Sequence, residues 1–282
     1  MKKRHLFLAA ALAMLSLSCE KDKANQEPEV VDIVEDFGPE PVAQDPLAIP
    51  ESEITLFKLS RDYYKKYVML GTTLENSIAI VAGKNVSDNA LMQAKLQCSY
   101  IANTPALLNM RRQQRIHVVI FGNEEYPDVI PGWDPAWDAT RYAGGYGPNA
   151  PGASCGIHMG DILNNTFDRY PTENIVIHEF GHAVIDFGLD KLYPGFKANI
   201  AAIWGRAKAK GLWTNTYAIS NASEYWAEGV QSYFNLNGRG PETGDGTHNH
   251  VNTRALLKTY DPEFYQVLHS VYGDAVMPPT VK

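Results

Sequence analysis

Cysteine is scarce in this chain, with three in 282 residues. That is too few for a small disulfide-stapled scaffold or for a four-thiolate zinc module. A surplus of basic charge is missing as well. The formal net charge is −7, and no basic stripe stands out that could neutralise phosphates, so nucleic acid is not the expected partner. The mostly apolar run from Leu6 to Leu17 is too short to span a bilayer. What is present is 45% hydrophobic and 20% charged residues, enough for a sizeable core and against wholesale disorder. The length allows one large domain or two small ones.

The charge is unevenly spread. Lys2, Lys3 and Arg4 precede the Leu6–Leu17 run, and Ser18 and Cys19 close it. A basic start, a short apolar stretch and small residues at its end predict an export signal. The ending LSLSC resembles the lipobox of bacterial lipoproteins, which implies lipid attachment at Cys19 and a membrane-held mature protein. The charged residues Glu20 to Lys23 resemble the tag that sends some Gram-negative lipoproteins to the outer surface. Residues 20–53 hold eleven acidic side chains against two lysines, with Pro28, Pro39, Pro41, Pro46 and Pro50 among them. Self-repelling charge and frequent proline predict an extended tether. Residues 54–282 then carry a net charge of only −1 and show no repeat or second linker, so they are expected to form one domain.

Within that domain, Leu56 to Leu59, Tyr67 to Leu70, Ser77 to Ala82 and Arg115 to Gly122 read as strands, with His117 inside the last. Ser87 is placed to cap a helix whose apolar face runs through Leu91, Ala94, Cys98 and Ile101. Thr104-Pro105 predicts the start of a second helix. Asn123 to Gly160 is long, irregular and rich in Gly, Pro, Trp and Tyr, as functional loops are. Residues 156–164 fit a short strand before a helix, and the chain is mostly helical from Thr172 onward. The expected class is α+β: a small twisted sheet, a helix bearing the chemistry and a mostly helical C-terminal part.

The chemistry lies in residues 175–185, IVIHEFGHAVI. His178 and His182 stand four apart, so on a helix they share a face and can offer two imidazoles to one ion. Glu179 lies beside them as a candidate general base. Thr172 is expected to cap this helix, Glu173 to sit in its first turn and Gly188 to stop it. A catalytic zinc needs a third protein ligand and an open position. Ile185 and Gly188 occupy the places where a metzincin carries Gly and His, which excludes that class. A carboxylate from residues 221–234, NASEYWAEGVQSYF, is the next option, with Asn221 or Ser223 as its helix cap. Glu224 and Glu228 are four apart on one face. One can bind the metal while the other orients a ligating imidazole, and spacing leaves open which does which.

HEFGH followed some forty residues later by SEYWAE resembles the gluzincin metallopeptidases, in particular the group of anthrax lethal factor and Pro-Pro endopeptidase. Tyr217 precedes Glu224 by seven residues, and Glu224 to Glu228 matches that group's E-aromatic-aromatic-A-E run. The resemblance covers residues 172–234. It implies a Zn2+ held by His178, His182 and Glu224, with Glu228 behind them and Tyr217 directed at the substrate carbonyl oxygen. VSDNAL, ENIVIHEFGH, GLWTNTYA, HNHVNTR and YDP together also resemble a set of secreted metallopeptidases without a defined substrate.

Other residues carry weaker signals. His248 and His250 read as solvated turn residues that could also meet metal or substrate. Arg254 reads as a helix-surface ion-pair partner or a carboxylate clamp. Trp133, Trp137, Tyr142 and Tyr146 fit either subsites or packing. Asp186, four after His182, is a candidate behind the metal. Cys98 and Cys155 are a disulfide or two buried thiols. The expected function is hydrolysis of peptide bonds in extracellular proteins by a lipid-anchored, exported zinc metallopeptidase at the bacterial outer membrane or cell surface. A surface-binding lipoprotein with a structural zinc site is the alternative from another class, although such a module has no use for Glu179. A peptidase directed to glycoproteins is a third reading.

Overall fold

Among the described residues, the apolar runs condense into one five-stranded sheet. The computed structural model describes residues 47–71, 77–102, 116–133, 144–147, 154–278 and 281. Strands β1 (Lys66–Leu70), β2 (Ile78–Ala82), β3 (His117–Phe121), β4 (Gly144–Gly147) and β5 (Ser154–His158) lie in the order β1-β2-β3-β5-β4. The three central strands β2, β3 and β5 are parallel, with Ala79 opposite His117 and His117 opposite Ser154. The outer strands β1 and β4 run antiparallel to their neighbours. Strands β2 and β3 are buried at every residue, which accounts for their unbroken apolar sequences: both faces of the sheet are covered. One face packs Tyr67, Ala79, Val81, Val119 and Phe121 against Phe57, Leu59 and Tyr64. The other packs Val68, Ile80, Val118, Ile120 and Ile157 against helices.

The strand expected at Leu56–Leu59 does not form: Leu56 and Phe57 are the end of a helix, Lys58 is its cap and Leu59 lies beyond it. Helix α1 (Glu51–Phe57) follows Pro50, carries Glu51 and Glu53 in its first turn, and ends where Lys58 turns left-handed and donates its N–H to Ile54 O. Acidic residues at the positive end of the helix and a bonded C-terminus outweigh the β-propensity of four residues. Helix α1 also straddles the boundary expected at residue 53, and Leu47 N donates to Tyr67 O at 3.0 Å. The folded body therefore includes the last part of the segment read as tether. Helix α2 (Asp88–Ala102) is capped as expected, with Ala90 N on Ser87 Oγ at 3.2 Å, and Leu91, Ala94, Cys98 and Ile101 are all buried. Strand β5 runs straight into helix α3 (Met159–Leu163).

Beyond residue 172 the chain forms α4 (Ile175–Ala183), α5 (Phe196–Ala209), α6 (Ala222–Tyr233), α7 (Arg254–Tyr260) and α8 (Pro262–Tyr272). The class is α+β. Helix α4 packs on α2, α6, β4 and β5, so it is the spine between the sheet and the helical part. Gly229 in α6 lets α8 approach, since a Cβ there would stand 2.1 Å from Phe264 Cε1. Among the described residues no helix is long and apolar enough to cross a membrane. The export signal, residues 20–46, the helix expected at Thr104-Pro105, Trp137, Tyr142 and the side chain of Tyr146 lie outside what is described.

His117 is neither exposed nor part of a site. Its ring meets the edges of Phe57 and Tyr64, and burial lowers its pKa from 6.5 to about 4. The unfolded chain therefore binds this proton more readily than the folded one. The contribution is fully present above about pH 6.5 and is lost as pH falls toward 4, amounting to about 3 kcal/mol. In His117→Gln, the fall in urea-unfolding free energy between pH 7 and pH 4 should shrink by about that amount. An unchanged acid slope would mean that the imidazole is protonated in place.

Candidate metal centre

Helix α4 is buried on all sides, and among its residues only Glu179 keeps partial exposure. A helix apolar all round needs protein on every side, and Glu179 is the one residue of this helix that meets solvent. Asn174 caps it, its Oδ1 accepting from Ile177 N at 3.0 Å, and it also donates through Nδ2 to Gln97 Oε1 at 2.9 Å. The expected cap Thr172 is not used, because Asn174 stands one residue before the first helical turn and Thr172 is exposed. Gly188 does not stop the helix. The chain continues through a π-helical turn, Val184–Leu189, in which Val184, Ile185 and Leu189 are buried. That burial holds the turn in place, and Gly188 does not take the left-handed conformation of a helix stop.

The two imidazoles meet one carboxylate from α6. Asn221 caps α6, its Oδ1 accepting from Ser223 N at 2.9 Å and Glu224 N at 3.0 Å, which fixes Glu224 in the first turn beside α4. Glu224 Oε2 lies 3.1 Å from His178 Nε2 and 3.3 Å from His182 Nε2, and the two nitrogens are 3.3 Å apart. His178, His182 and Glu224 therefore form a group that could hold a metal ion, as do Glu173, His178 and Glu228. The two carboxylates that spacing left open stand on different sides of His178. Glu224 faces both Nε2 atoms, whereas Glu228 Oε1 stands 3.6 Å from the opposite nitrogen of His178, Nδ1.

Two residues that sequence reasoning missed hold the imidazoles from behind. Gln231 Oε1 is 2.9 Å from His178 Nδ1, closer than Glu228, and Ser223 Oγ is 2.9 Å from His182 Nδ1. A signal for Gln231 was in the sequence: Glu224, Glu228 and Gln231 follow at i, i+4 and i+7, one face of a helix. Glu228 itself accepts from Asn237 Nδ2 at 3.0 Å.

The charges form an interlocked set. Burial disfavours the His178 imidazolium, but the Glu224 hydrogen bond and the charges of Glu179, Glu228 and Glu224 outweigh it and raise the group to about 10. Burial also opposes ionisation of Glu224, yet the hydrogen bonds and charges of His178 and His182 hold its carboxyl far below the usual range. Burial raises Glu228 to about 7 against the pull of His178. It also raises Glu179 against the pull of both histidines. Carboxylates crowded around two imidazoles favour a bound cation, and such a site exchanges protons for metal.

Tyr217 reaches the same place from another segment. It begins a 3-10 turn, Tyr217–Ile219, and its half-exposed ring lies nearly parallel to that of His178 with centroids 6.3 Å apart. The backbone leading to it is held in unusual conformations. Trp213 and Asn215 have φ of 59° and 54°, a region that non-glycine residues avoid. Trp213 N donates to Tyr260 Oη at 2.7 Å, Trp213 Nε1 to Asp261 Oδ2 at 2.9 Å, and Asn215 Nδ2 to Gly244 O at 2.8 Å. Strain fixed by surrounding bonds is a recurrent feature beside functional groups.

Several candidates lie elsewhere. His248 is not a solvated turn residue: its Nε2 stands 3.4 Å from Glu173 Oε1, while His250 packs its ring edge-on to Tyr260. Neither belongs to the His178–His182–Glu224 group. Arg254 neither pairs at a surface nor faces that group. It donates to Tyr233 O at 2.8 Å and to Ala275 O, with its guanidinium 4.0 Å over the Tyr233 ring. Asp186 pairs with Lys197. Trp133 packs in the layer containing Phe57 and Tyr64. Cys98 and Cys155 are free, buried thiols, and burial raises the pKa of both. Glu173 precedes the cap, and its carboxylate meets Gln231 and His248 instead of the helix terminus. No known protein-family profile matches the chain, and no curated protein matches it.

Proposed function

We propose that the chain is a zinc-dependent endopeptidase, with His178, His182 and Glu224 holding the metal. The observation that carries this reading is the triangle of donor atoms, with sides of 3.1, 3.3 and 3.3 Å. Zinc with bonds of about 2.0–2.1 Å in tetrahedral geometry sets its donors about 3.3–3.4 Å apart. Three protein ligands also leave a fourth position free, as catalytic zinc requires. The residues fit the ion.

Zinc bound there supplies Lewis acidity toward a carbonyl oxygen and makes water more acidic. The chain's own residues do the rest. Glu179 takes the proton of the attacking water on a carboxylate oxygen and later gives it to the departing amine nitrogen. Tyr217 donates its phenol O–H to the carbonyl oxygen as negative charge gathers there. Gln231 and Ser223 accept the outer N–H of His178 and His182 and fix which ring nitrogen faces the metal. The fold also supports a peptide as the substrate. Strand β4 is the terminal strand of the described sheet, rich in glycine and packed beside α4. An extended peptide can add to such an edge through main-chain hydrogen bonds. The reading includes export, lipid attachment at Cys19 and extracellular protein substrates.

The test is metal content with its dependence on each ligand. The purified chain should hold about one zinc per molecule by the three-ligand pattern, and His178→Ala, His182→Ala and Glu224→Ala should each lose it. Glu228→Ala removes a group behind the metal and should weaken zinc by only about 10–100-fold. Cleavage of a peptide library should stop on chelation and return with zinc. Full zinc occupancy in His182→Ala would remove the site, and equal loss from Glu228→Ala and Glu224→Ala would overturn the assignment of the third ligand.

A further inference from the structure

Behind the metal ligands lies a buried carboxylate that the chemistry above does not use. The side chain of Glu173 is 6% exposed, and its two oxygens go to different partners. Oε2 accepts from Gln231 Nε2 at 2.8 Å, and Oε1 pairs with His248 Nε2 at 3.4 Å. Each branch leads to a different part of the site.

The Gln231 branch leads to the metal. Gln231 is fully buried, and its Nε2 donates both to Glu173 Oε2 and, at 3.1 Å, to Asn174 O. Turning the amide over would set its oxygen against a carboxylate and a carbonyl, two acceptors facing an acceptor. The amide is therefore locked with Oε1 toward His178 Nδ1 at 2.9 Å. An acceptor fixed at Nδ1 requires Nδ1 to carry the proton, which directs the lone pair of Nε2 toward Glu224 and His182.

The His248 branch leads to Tyr217. His248 lies in a loop folded against the strained turn at 213–217: Tyr217 N donates to Thr247 O at 2.8 Å and Gly246 N to Asn215 O at 2.9 Å. Asp245 Oδ1 takes Thr247 N at 2.9 Å and His248 N at 2.8 Å, closing the loop on itself. Two glycines leave the space. A Cβ at Gly238 would stand 2.5 Å from the His248 ring, and one at Gly244 would stand 2.2 Å from Asn215 O. The ring of His248 is thus seated in a built slot with its Nε2 against Glu173, and the next residue back holds the amide of Tyr217.

We infer that Glu173 is a positioning residue that ties the metal ligand His178, through Gln231, and the oxyanion donor Tyr217, through His248, into one rigid frame. The inference rests on the zinc reading for the meaning of the two ends, while the frame itself consists of contacts in the protein alone. Its distinctive consequence is a split. Cutting one branch should disturb one end, and changing Glu173 should disturb both.

Two readouts that need no substrate separate the ends: zinc affinity by competition with a chromogenic chelator, and hydrogen exchange of the Tyr217 amide. Gln231→Leu should weaken zinc about 10–100-fold, the usual effect of losing a group that orients a ligating histidine, and leave Tyr217 protected. His248→Asn should leave zinc affinity unchanged and lose protection at Tyr217. Glu173→Gln is nearly isosteric but turns one acceptor into a donor and removes the charge that both branches meet, so both readouts should fall. Glu173→Ala should show both losses together. Combining Glu173→Ala with Gln231→Leu should weaken zinc no further than Gln231→Leu does, because both act on the same bond. Thermal melts identify variants that merely fail to fold, and Glu173→Gln then gives the answer. A wild-type chain that takes up no zinc would overturn the metal reading itself. A zinc-binding wild type whose folded Glu173→Gln and Glu173→Ala variants keep both readouts would overturn this inference alone, as would zinc losses that add in the double variant.

Discussion

Glu179→Gln should keep its zinc and lose turnover by about 10²–10⁴-fold, the usual range for removing a positioned general base. The substitution preserves length, shape and hydrogen-bonding capacity but leaves an amide that cannot accept a proton at neutral pH. The structure makes this a clean change. Glu179 is the one residue of α4 that keeps partial exposure, so its side chain can be altered without opening a cavity in the core. It is also not among the donor atoms grouped around His178, His182 and Glu224, so metal content should not follow it. Burial opposes its ionisation while the two histidines favour it, a balance that suits a group required to take up and return a proton. The check is paired: zinc by mass spectrometry, and initial rates on a fluorogenic peptide chosen from a library. A Glu179→Gln protein that holds zinc and cleaves at the wild-type rate would remove the base from the mechanism. One that loses its zinc would make Glu179 a ligand.

How far the sequence could be read depended on the range of the interactions involved. The pair His178 and His182 and the run from Glu224 to Glu228 are helix-face patterns, and a helix face is written in local spacing. The cap of α2 by Ser87 and the cap of α6 by Asn221 were legible for the same reason, since each involves atoms two or three residues apart. Errors came where a distant partner or a competing local signal decided. Residues 51–57 are a helix because Pro50, two early glutamates and a left-handed Lys58 define its ends, and a window restricted to Leu56–Leu59 contains none of that. Gly188 fails to stop its helix because the π turn is buried at Val184, Ile185 and Leu189, which composition alone does not reveal. His248 looked solvated in a loop of Gly, Asp and Asn, yet its partner Glu173 is 75 residues earlier, and the pairing exists only after α4 and the loop are brought together. Gln231 is an intermediate case. Its helix face was readable, but its role required knowing that Glu173 and Asn174 would fix the sense of its amide.

Tyr217→Phe should retain fold and zinc, leave KM nearly unchanged, and lower kcat by about 10²–10³, the usual effect of removing one oxyanion donor. The effect should fall on kcat because the carbonyl oxygen gains most of its negative charge only in the transition state, so the hydrogen bond strengthens there and not in the bound ground state. Three features point to this residue. Its ring lies nearly parallel to that of His178 at 6.3 Å between centroids, its amide is fixed to Thr247 O at 2.8 Å, and the preceding Trp213 and Asn215 are held left-handed. For a tyrosine kept only for packing, replacement by Phe would have little effect on rate. Phe preserves the stacking surface and the backbone tether to the 244–248 loop, so the phenol oxygen is the only thing removed. Steady-state kinetics on the same fluorogenic peptide, with zinc content and melting temperature measured alongside, separate these cases. A kcat equal to that of wild type would take the oxyanion role from Tyr217, and a loss of zinc would show that the phenol acts on the metal ligands themselves.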